Sequence, residues 1–167
     1  MDIEKLLDGV TGDRELRRKN IETVMKYMTL VGDERLDRWK LFTEDGQGGY
    51  TGPAKGYPEP EFIEWGMPGQ EGLKMSDAWN SKWFPGGVYT DMHVLLTDDP
   101  NYIVVSALGT FMLNFPDYEK KEYKNYFFHV LEMEDGLIKR YHEHMNFCQM
   151  YHTLGLELPE VKFPKGI

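Results

Sequence analysis

Lys121-Glu122-Tyr123-Lys124-Asn125-Tyr126-Phe127-Phe128-His129-Val130-Leu131-Glu132-Met133-Glu134-Asp135-Gly136-Leu137-Ile138-Lys139-Arg140-Tyr141-His142-Glu143-His144-Met145-Asn146-Phe147 is the stretch that decides the fold. Its side chains alternate in character, which is the period of a strand. Glu134-Asp135-Gly136 in the middle has turn chemistry, so two strands are expected to return on each other antiparallel. On the first strand Tyr123, Asn125, Phe127 and His129 share one face. On the second, Leu137, Tyr141, Glu143, Met145 and Phe147 share one face. That second face is large and mostly apolar, and the Glu143 carboxylate interrupts it. Burial penalises the anion, so the Glu143 pKa is expected to rise toward neutrality, where it can serve as a general acid. The alternative is a Glu143 that is exposed, or paired with an Arg or Lys, in an irregular strand.

Working outward, strands are expected at Val88–Thr97, Tyr102–Phe115, Lys121–Glu134 and Leu137–Tyr151. The turn residues Asp98-Asp99-Pro100-Asn101 separate the first two. Short connections make the last three a meander, and Gly109 in mid-strand is a natural bend or bulge. Helical spacing comes earlier in the chain. Leu16, Ile21, Val24, Met25 and Met28 form a stripe from about Asp13, a candidate cap, to Leu30. Gly32-Asp33 breaks it, and a short helix covers Glu34 to Phe42. A Gly- and Pro-rich stretch through Pro53, Pro58, Pro60 and Pro68 reads as a loop with short strands near Gly49–Thr51 and Phe62–Trp65. A third helix, about Gln70 to Trp83, places Leu73, Ser76, Trp79, Asn80 and Trp83 on one face. Helices followed by long antiparallel strands give an α+β fold over one domain, residues 1–167. Strands this long curve strongly, and three helices across the open side would enclose a conical pocket.

The 167 residues suit one sizeable core, and aromatics make up 14% of the chain. A net charge of −9 repels phosphate backbones, so nucleic acid and anionic membranes are poor partners. The single Cys148 excludes an internal disulfide and a multi-cysteine zinc site. No apolar run is long enough for a membrane helix, and Met1-Asp2-Ile3-Glu4-Lys5 lacks signal-peptide order, so a cytoplasmic protein is expected. His142 and His144 point the same way and could reach one ion. They lie on the face opposite Glu143 with no third ligand at diagnostic spacing, so a solvated face or a subunit interface is expected instead of a metal. Gly46-Gln47-Gly48-Gly49 lacks the lysine and helix of a phosphate loop.

The candidate site reads either as a small-molecule pocket or as a core with a few satisfied polar groups; the first reading gives each residue a role. Glu143 is its acid/base, with Tyr123, Asn125 and His129 on the neighbouring strand. Ser76 and Asn80 either point into the cavity or lie at the margin of the third helix's buried stripe.

The chain also resembles the phenazine-biosynthesis A/B family, small proteins of the nuclear-transport-factor-2-like or SnoaL-like cone fold. The resemblance rests on Met25-Lys26-Tyr27-Met28, Gly32-Asp33-Glu34-Arg35-Leu36-Asp37-Arg38 and Leu41-Phe42-Thr43-Glu44-Asp45-Gly46-Gln47-Gly48-Gly49. It continues through Lys82-Trp83-Phe84-Pro85, Asp99-Pro100-Asn101, Tyr123-Lys124-Asn125, Glu134-Asp135-Gly136-Leu137-Ile138-Lys139, Glu143-His144-Met145-Asn146 and Leu154-Gly155-Leu156. It implies a homodimer with one pocket per subunit and no cofactor. The implied reaction joins two molecules of an aminocyclohexenone carboxylate, ketone to amine. Glu143 falls on the family's acid/base, and Arg38 on an arginine that pairs with substrate carboxylate. Ser76 stands where the family has a histidine, and Asn80 where it has a serine. Leu108 replaces an acidic residue, and Tyr50 lies near an absent tryptophan. A serine cannot replace an imidazole in proton transfer. Two other readings stay open: an isomerase or cyclase on the same cone, with Glu143 as base, and a binding protein without turnover.

Overall fold

The computed structural model of the chain describes residues 2–53, 60–65 and 69–157. Among these residues four α-helices are present: α1 (Ile3–Leu6), α2 (Arg14–Thr29), α3 (Gly69–Trp83) and α4 (Phe147–Thr153), with a 3-10 helix at Gly32–Leu41. Six strands, β1 (Phe42–Pro53), β2 (Pro60–Glu64), β3 (Val88–Leu96), β4 (Tyr102–Leu113), β5 (Lys121–Glu134) and β6 (Leu137–Met145), form one curved, unclosed sheet in the order β2-β1-β6-β5-β4-β3. The fold is the expected α+β cone. Pro58 and Pro68 of the expected loop lie outside the described residues.

The β3–β6 meander pairs antiparallel as the alternation predicts, and β5 has the predicted bounds. Every second residue of β5 from Tyr123 to Met133 is buried. Helix α2 buries Ile21, Val24 and Met28 at helical spacing. Its polar side chains tie it to the β3–β4 and β5–β6 turns. Arg17 donates to the Thr97 and Asp98 carbonyls at 2.8 and 2.6 Å, and Thr23 Oγ1 donates to the Gly136 carbonyl at 2.6 Å. Helix α3 packs on the 3-10 helix and β1, which sets the pocket's second wall against the sheet.

Several expectations are corrected. Asp13 does not cap α2 through its side chain; it takes a left-handed φ of 48°, and only its carbonyl joins the helix, accepting from Arg17 N. The second helix is 3-10 rather than α. The last strand stops at Met145, because Asn146 Oδ1 accepts from Cys148 N and starts α4, taking Phe147 off the strand face. Leu137 is 38% exposed and Ile138 is buried in its place. The reason is one extra residue on β6: Arg140 pairs with Glu132 but Ile138 with Met133. A single bulge thus shifts the phase so that Ile138, Tyr141 and Glu143 all face inward.

Gly109 is in register on both sides, and the β3–β4 irregularity falls instead near Asp91, at a φ of 49°. Gly109 has another purpose: a Cβ there would lie 2.5 Å from the Phe127 ring and 2.6 Å from that of Phe111. The sheet is also not wholly antiparallel. β1 is a long strand and runs parallel to β6, pairing Tyr50 with Glu143. The expected short strand near Gly49–Thr51 is its C-terminal part; the glycines hid the rest, since they disfavour strands. At Gly48 a Cβ would meet the Trp65 ring at 2.8 Å, so the close approach of that ring requires the glycine.

Candidate functional site

A cavity of about 510 Å³ opens between the concave face of the sheet and the helices. Tyr27, Arg35 and Arg38 from the helical layer line it. The sheet contributes Tyr89, Tyr123, Tyr141 and Glu143. Trp79, Phe84, Phe111, Phe115 and Phe127 make flat aromatic walls. Such a mixture of apolar walls and a few convergent polar groups suits a small planar ligand.

Glu143 is 7% exposed. β6 aims it inward beside Tyr141, between Tyr50 of β1 and His129 of β5. Its Oε2 accepts from the Tyr141 hydroxyl at 3.0 Å and from the Tyr89 hydroxyl at 3.4 Å. Oε1 has no protein partner among the described residues. Burial raises the Glu143 pKa, opposed by the Tyr141 hydrogen bond and the Arg38 charge. Burial and the neighbouring carboxylate push Tyr141 and Tyr89 well above the ordinary tyrosine value, so both remain O–H donors.

His129 lies behind this group. It has no solvent exposure, and burial pushes its pKa down to about 3. Its Nδ1 is 2.6 Å from the Tyr141 hydroxyl and 3.8 Å from Glu143 Oε2. A neutral imidazole makes the second contact no ion pair. Among the described residues the Nε2 atom has no partner. His129 does not itself line the cavity; it packs against Tyr89, Phe127 and Tyr141, which do, and its Nδ1 meets the Tyr141 hydroxyl. Asn125 is likewise behind the wall. It donates to the Tyr123 hydroxyl at 2.6 Å and to the Asn146 carbonyl at 3.0 Å, so it fixes Tyr123 and the start of α4.

Tyr123, Ser76 and Asn80 do line the cavity. Asn80 Nδ2 donates to Ser76 Oγ at 3.3 Å, so the two form one polar patch on α3. Leu108 is not among the lining residues, because it points to the opposite face from Ala107 and Gly109. Tyr50 lines the cavity.

Arg38 is 4% exposed and already engaged. Its Nε and one Nη donate to Asp77 Oδ1 at 3.1 and 2.8 Å. Asp77 Oδ2 accepts from Trp39 N at 3.0 Å. Burial pushes the Asp77 carboxyl up and the Arg38 charge opposes it; three hydrogen bonds favour the anion. The guanidinium lies 4.8 Å from the centre of the Tyr27 ring. Asp77, Arg35, Tyr27 and Tyr89 were not singled out as site residues from sequence, and Tyr141 was placed on the Glu143 face without a role. Asp77 had a signal, since it is buried four residues after Leu73 on α3.

On the outer face of the sheet the His142 and His144 rings stack with centroids 4.2 Å apart, and His142 Nε2 is 2.6 Å from Thr51 Oγ1. Among the described residues no three His, Cys, Asp or Glu side chains gather as a metal would require. No helix among them is long and apolar enough to cross a membrane.

A curved sheet and helices enclosing such a cavity define a protein of the nuclear-transport-factor-2-like class. A protein of that fold and of unknown function from Burkholderia pseudomallei K96243 superposes with a TM-score of 0.59 at 13% identity, over 81% of this chain and 97% of its own. Within the class, the chain belongs to the family described as phenazine biosynthesis protein A/B, which it matches over residues 1–167. The phenazine biosynthesis protein PhzB of Pseudomonas fluorescens is 40% identical over 153 residues, 92% of this chain and 91% of the relative. The crystal structure of a phenazine biosynthesis-related protein, PhzB2 of Pseudomonas aeruginosa, superposes with a TM-score of 0.81 at 40% identity, covering 92% of this chain and 95% of its own.

Proposed function

We propose that the chain serves phenazine-type biosynthesis by promoting imine formation between a ketone and an amine on small carboxylated rings. The observation that carries this reading is Glu143, buried in an aromatic cavity with Oε2 held by two phenols and Oε1 unengaged. Condensation first gives a carbinolamine. Glu143 as the acid protonates its hydroxyl, which leaves as water, and the resulting carboxylate takes the proton from the iminium nitrogen. The glutamic acid is regenerated and no electrons are transferred, so the reaction needs no cofactor. The aromatic walls would hold both rings together, which adds proximity to acid catalysis. Arg38 keeps N–H donors beyond those that Asp77 uses and would hold a substrate oxygen. Tyr123, Ser76 and Asn80 would contact the ligand, with Asn125 and His129 supporting from behind.

The pH dependence of kcat tests the reading, with a cyclic ketone carboxylate and an aromatic amine followed by imine absorbance. Turnover is expected to fall as pH rises through the elevated Glu143 pKa, because the acid form is lost. Loss below that pKa, with a double-bond isomer as product, would identify Glu143 as the base of an isomerase or cyclase. Saturable binding without turnover at any pH would make this a binding protein.

The homodimer implied by the resemblance has support on the outer face of the sheet. There Tyr126 and Phe128 are 60% and 52% exposed, and Phe128 pairs with His144. A second copy would cover this surface. Light scattering is expected to give a dimer, and Phe128→Glu a monomer; a wild-type monomer at working concentration removes the dimer.

A further inference from the structure

Arg35 is a buried cation without a matching anion. It is 6% exposed, and no carboxylate lies within ion-pair distance among the described residues. One Nη donates weakly to the Phe84 carbonyl at 3.4 Å, which leaves most of its five N–H donors unused. The guanidinium carbon is 5.6 Å from the centre of the Phe111 ring. Gly87 leaves space for it: a Cβ there would collide with the Arg35 Nη1 atom and with Phe111. Burial and the like charge of Arg38 both disfavour the charged form of Arg35. Arg38 is in a different state, since Asp77 already balances its charge. A cation with unused donors, facing a cavity with planar walls, lacks only an anion to complete it.

We infer that Arg35 binds the carboxylate of a planar cyclic ligand, at the end of the cavity bounded by Phe84, Phe111 and Gly87. The inference rests on the cavity being a site for small carboxylated rings, and it moves the ionic anchor from Arg38 to Arg35. Arg38, neutralised by Asp77, supplies hydrogen bonds. The planar fork of Arg35 grips both carboxylate oxygens, and the ring extends along the Phe84 and Phe111 walls toward Glu143.

The test compares 2-naphthoate with its neutral isostere 2-naphthamide, with binding followed by quenching of tryptophan fluorescence. The wild type is expected to prefer the naphthoate. Arg35→Gln is expected to weaken naphthoate binding by about ten- to a hundredfold while weakening naphthamide far less. Arg35→Lys, which keeps the charge and loses the fork, should reduce the preference less, and it carries the test should the glutamine variant not fold. Undiminished preference for naphthoate in either variant overturns the assignment, as does equal loss of both ligands. Equal wild-type affinity for the two probes leaves the ring site standing and overturns only the anion subsite. No wild-type binding of either overturns the reading of the cavity as well.

Discussion

Glu143→Gln is expected to lower imine-forming turnover by about 10²–10⁴, the usual value of a positioned acid/base. Glutamine has nearly the same shape and can still accept from Tyr141 and Tyr89 through its amide oxygen. It has no proton to give at neutral pH. Circular dichroism should therefore be unchanged while activity collapses, and full activity in the variant would remove Glu143 from the mechanism. A second readout follows from linkage. Burial raises the folded-state pKa of Glu143 above its unfolded value. Between the two values the folded state binds more protons, so stability falls as pH rises through that window. Glutamine does not titrate. The melting temperature of the variant relative to wild type is thus expected to improve as pH rises above about 4, the unfolded carboxyl value. A constant difference would mean that the carboxyl is not strained by burial.

Asp77→Ala carries the largest expected loss of stability. Arg38 and Asp77 are 4% and 6% exposed, and the alanine would leave the guanidinium buried without a counterion and Trp39 N without its acceptor. Breaking a buried pair from one side costs about 3–5 kcal/mol, which for a domain of this size lowers Tm by about 6–20 °C. The cost lies in the orphaned charge more than in the attraction. The double replacement Arg38→Met with Asp77→Leu should therefore be much less destabilising than Asp77→Ala alone. Thermal melts of the two variants make the comparison, and equal losses would show that packing rather than charge dominates there.

The meander was legible because its strands alternate cleanly. Lys121–Glu134 carries an unbroken period of two, and its bounds follow directly. The extra residue near Lys139 was not legible, because a bulge changes the phase without changing the composition. That is why Leu137 and Ile138 exchange places. Only the Gly49–Thr51 end of β1 was legible, because glycines at 46, 48 and 49 remove the side chains that announce a strand, and its parallel partner lies far along the chain. At the site, Glu143 stood out as a charge among apolar neighbours. Asn125 and His129 share its inward orientation, but period two reports a face and not a depth. Tyr123 and Tyr141 stand in front of them. Arg38 came from resemblance, whereas its partner Asp77 and the unmatched Arg35 required the packing of α3 and the 3-10 helix to be seen.

The His129–Tyr141–Glu143 chain decides which oxygen of the acid is loaded. Tyr141 has a single hydroxyl hydrogen and two neighbours at 2.6 and 3.0 Å. Given to Glu143 Oε2, that hydrogen obliges His129 to carry its own on Nδ1, and Nε2 keeps a bare lone pair. The reverse polarity would strand an N–H at Nε2, where no described residue accepts it, and orphaned buried N–H groups are rarer than under-used acceptors. The favoured polarity runs one way, from the imidazole outward, and it fills Oε2 with a donated hydrogen bond. A proton taken up by Glu143 then resides on Oε1. The buried histidine, linked to Glu143 through the Tyr141 hydroxyl, would thus leave Oε1 as the oxygen that meets a ligand in the proposed acid role.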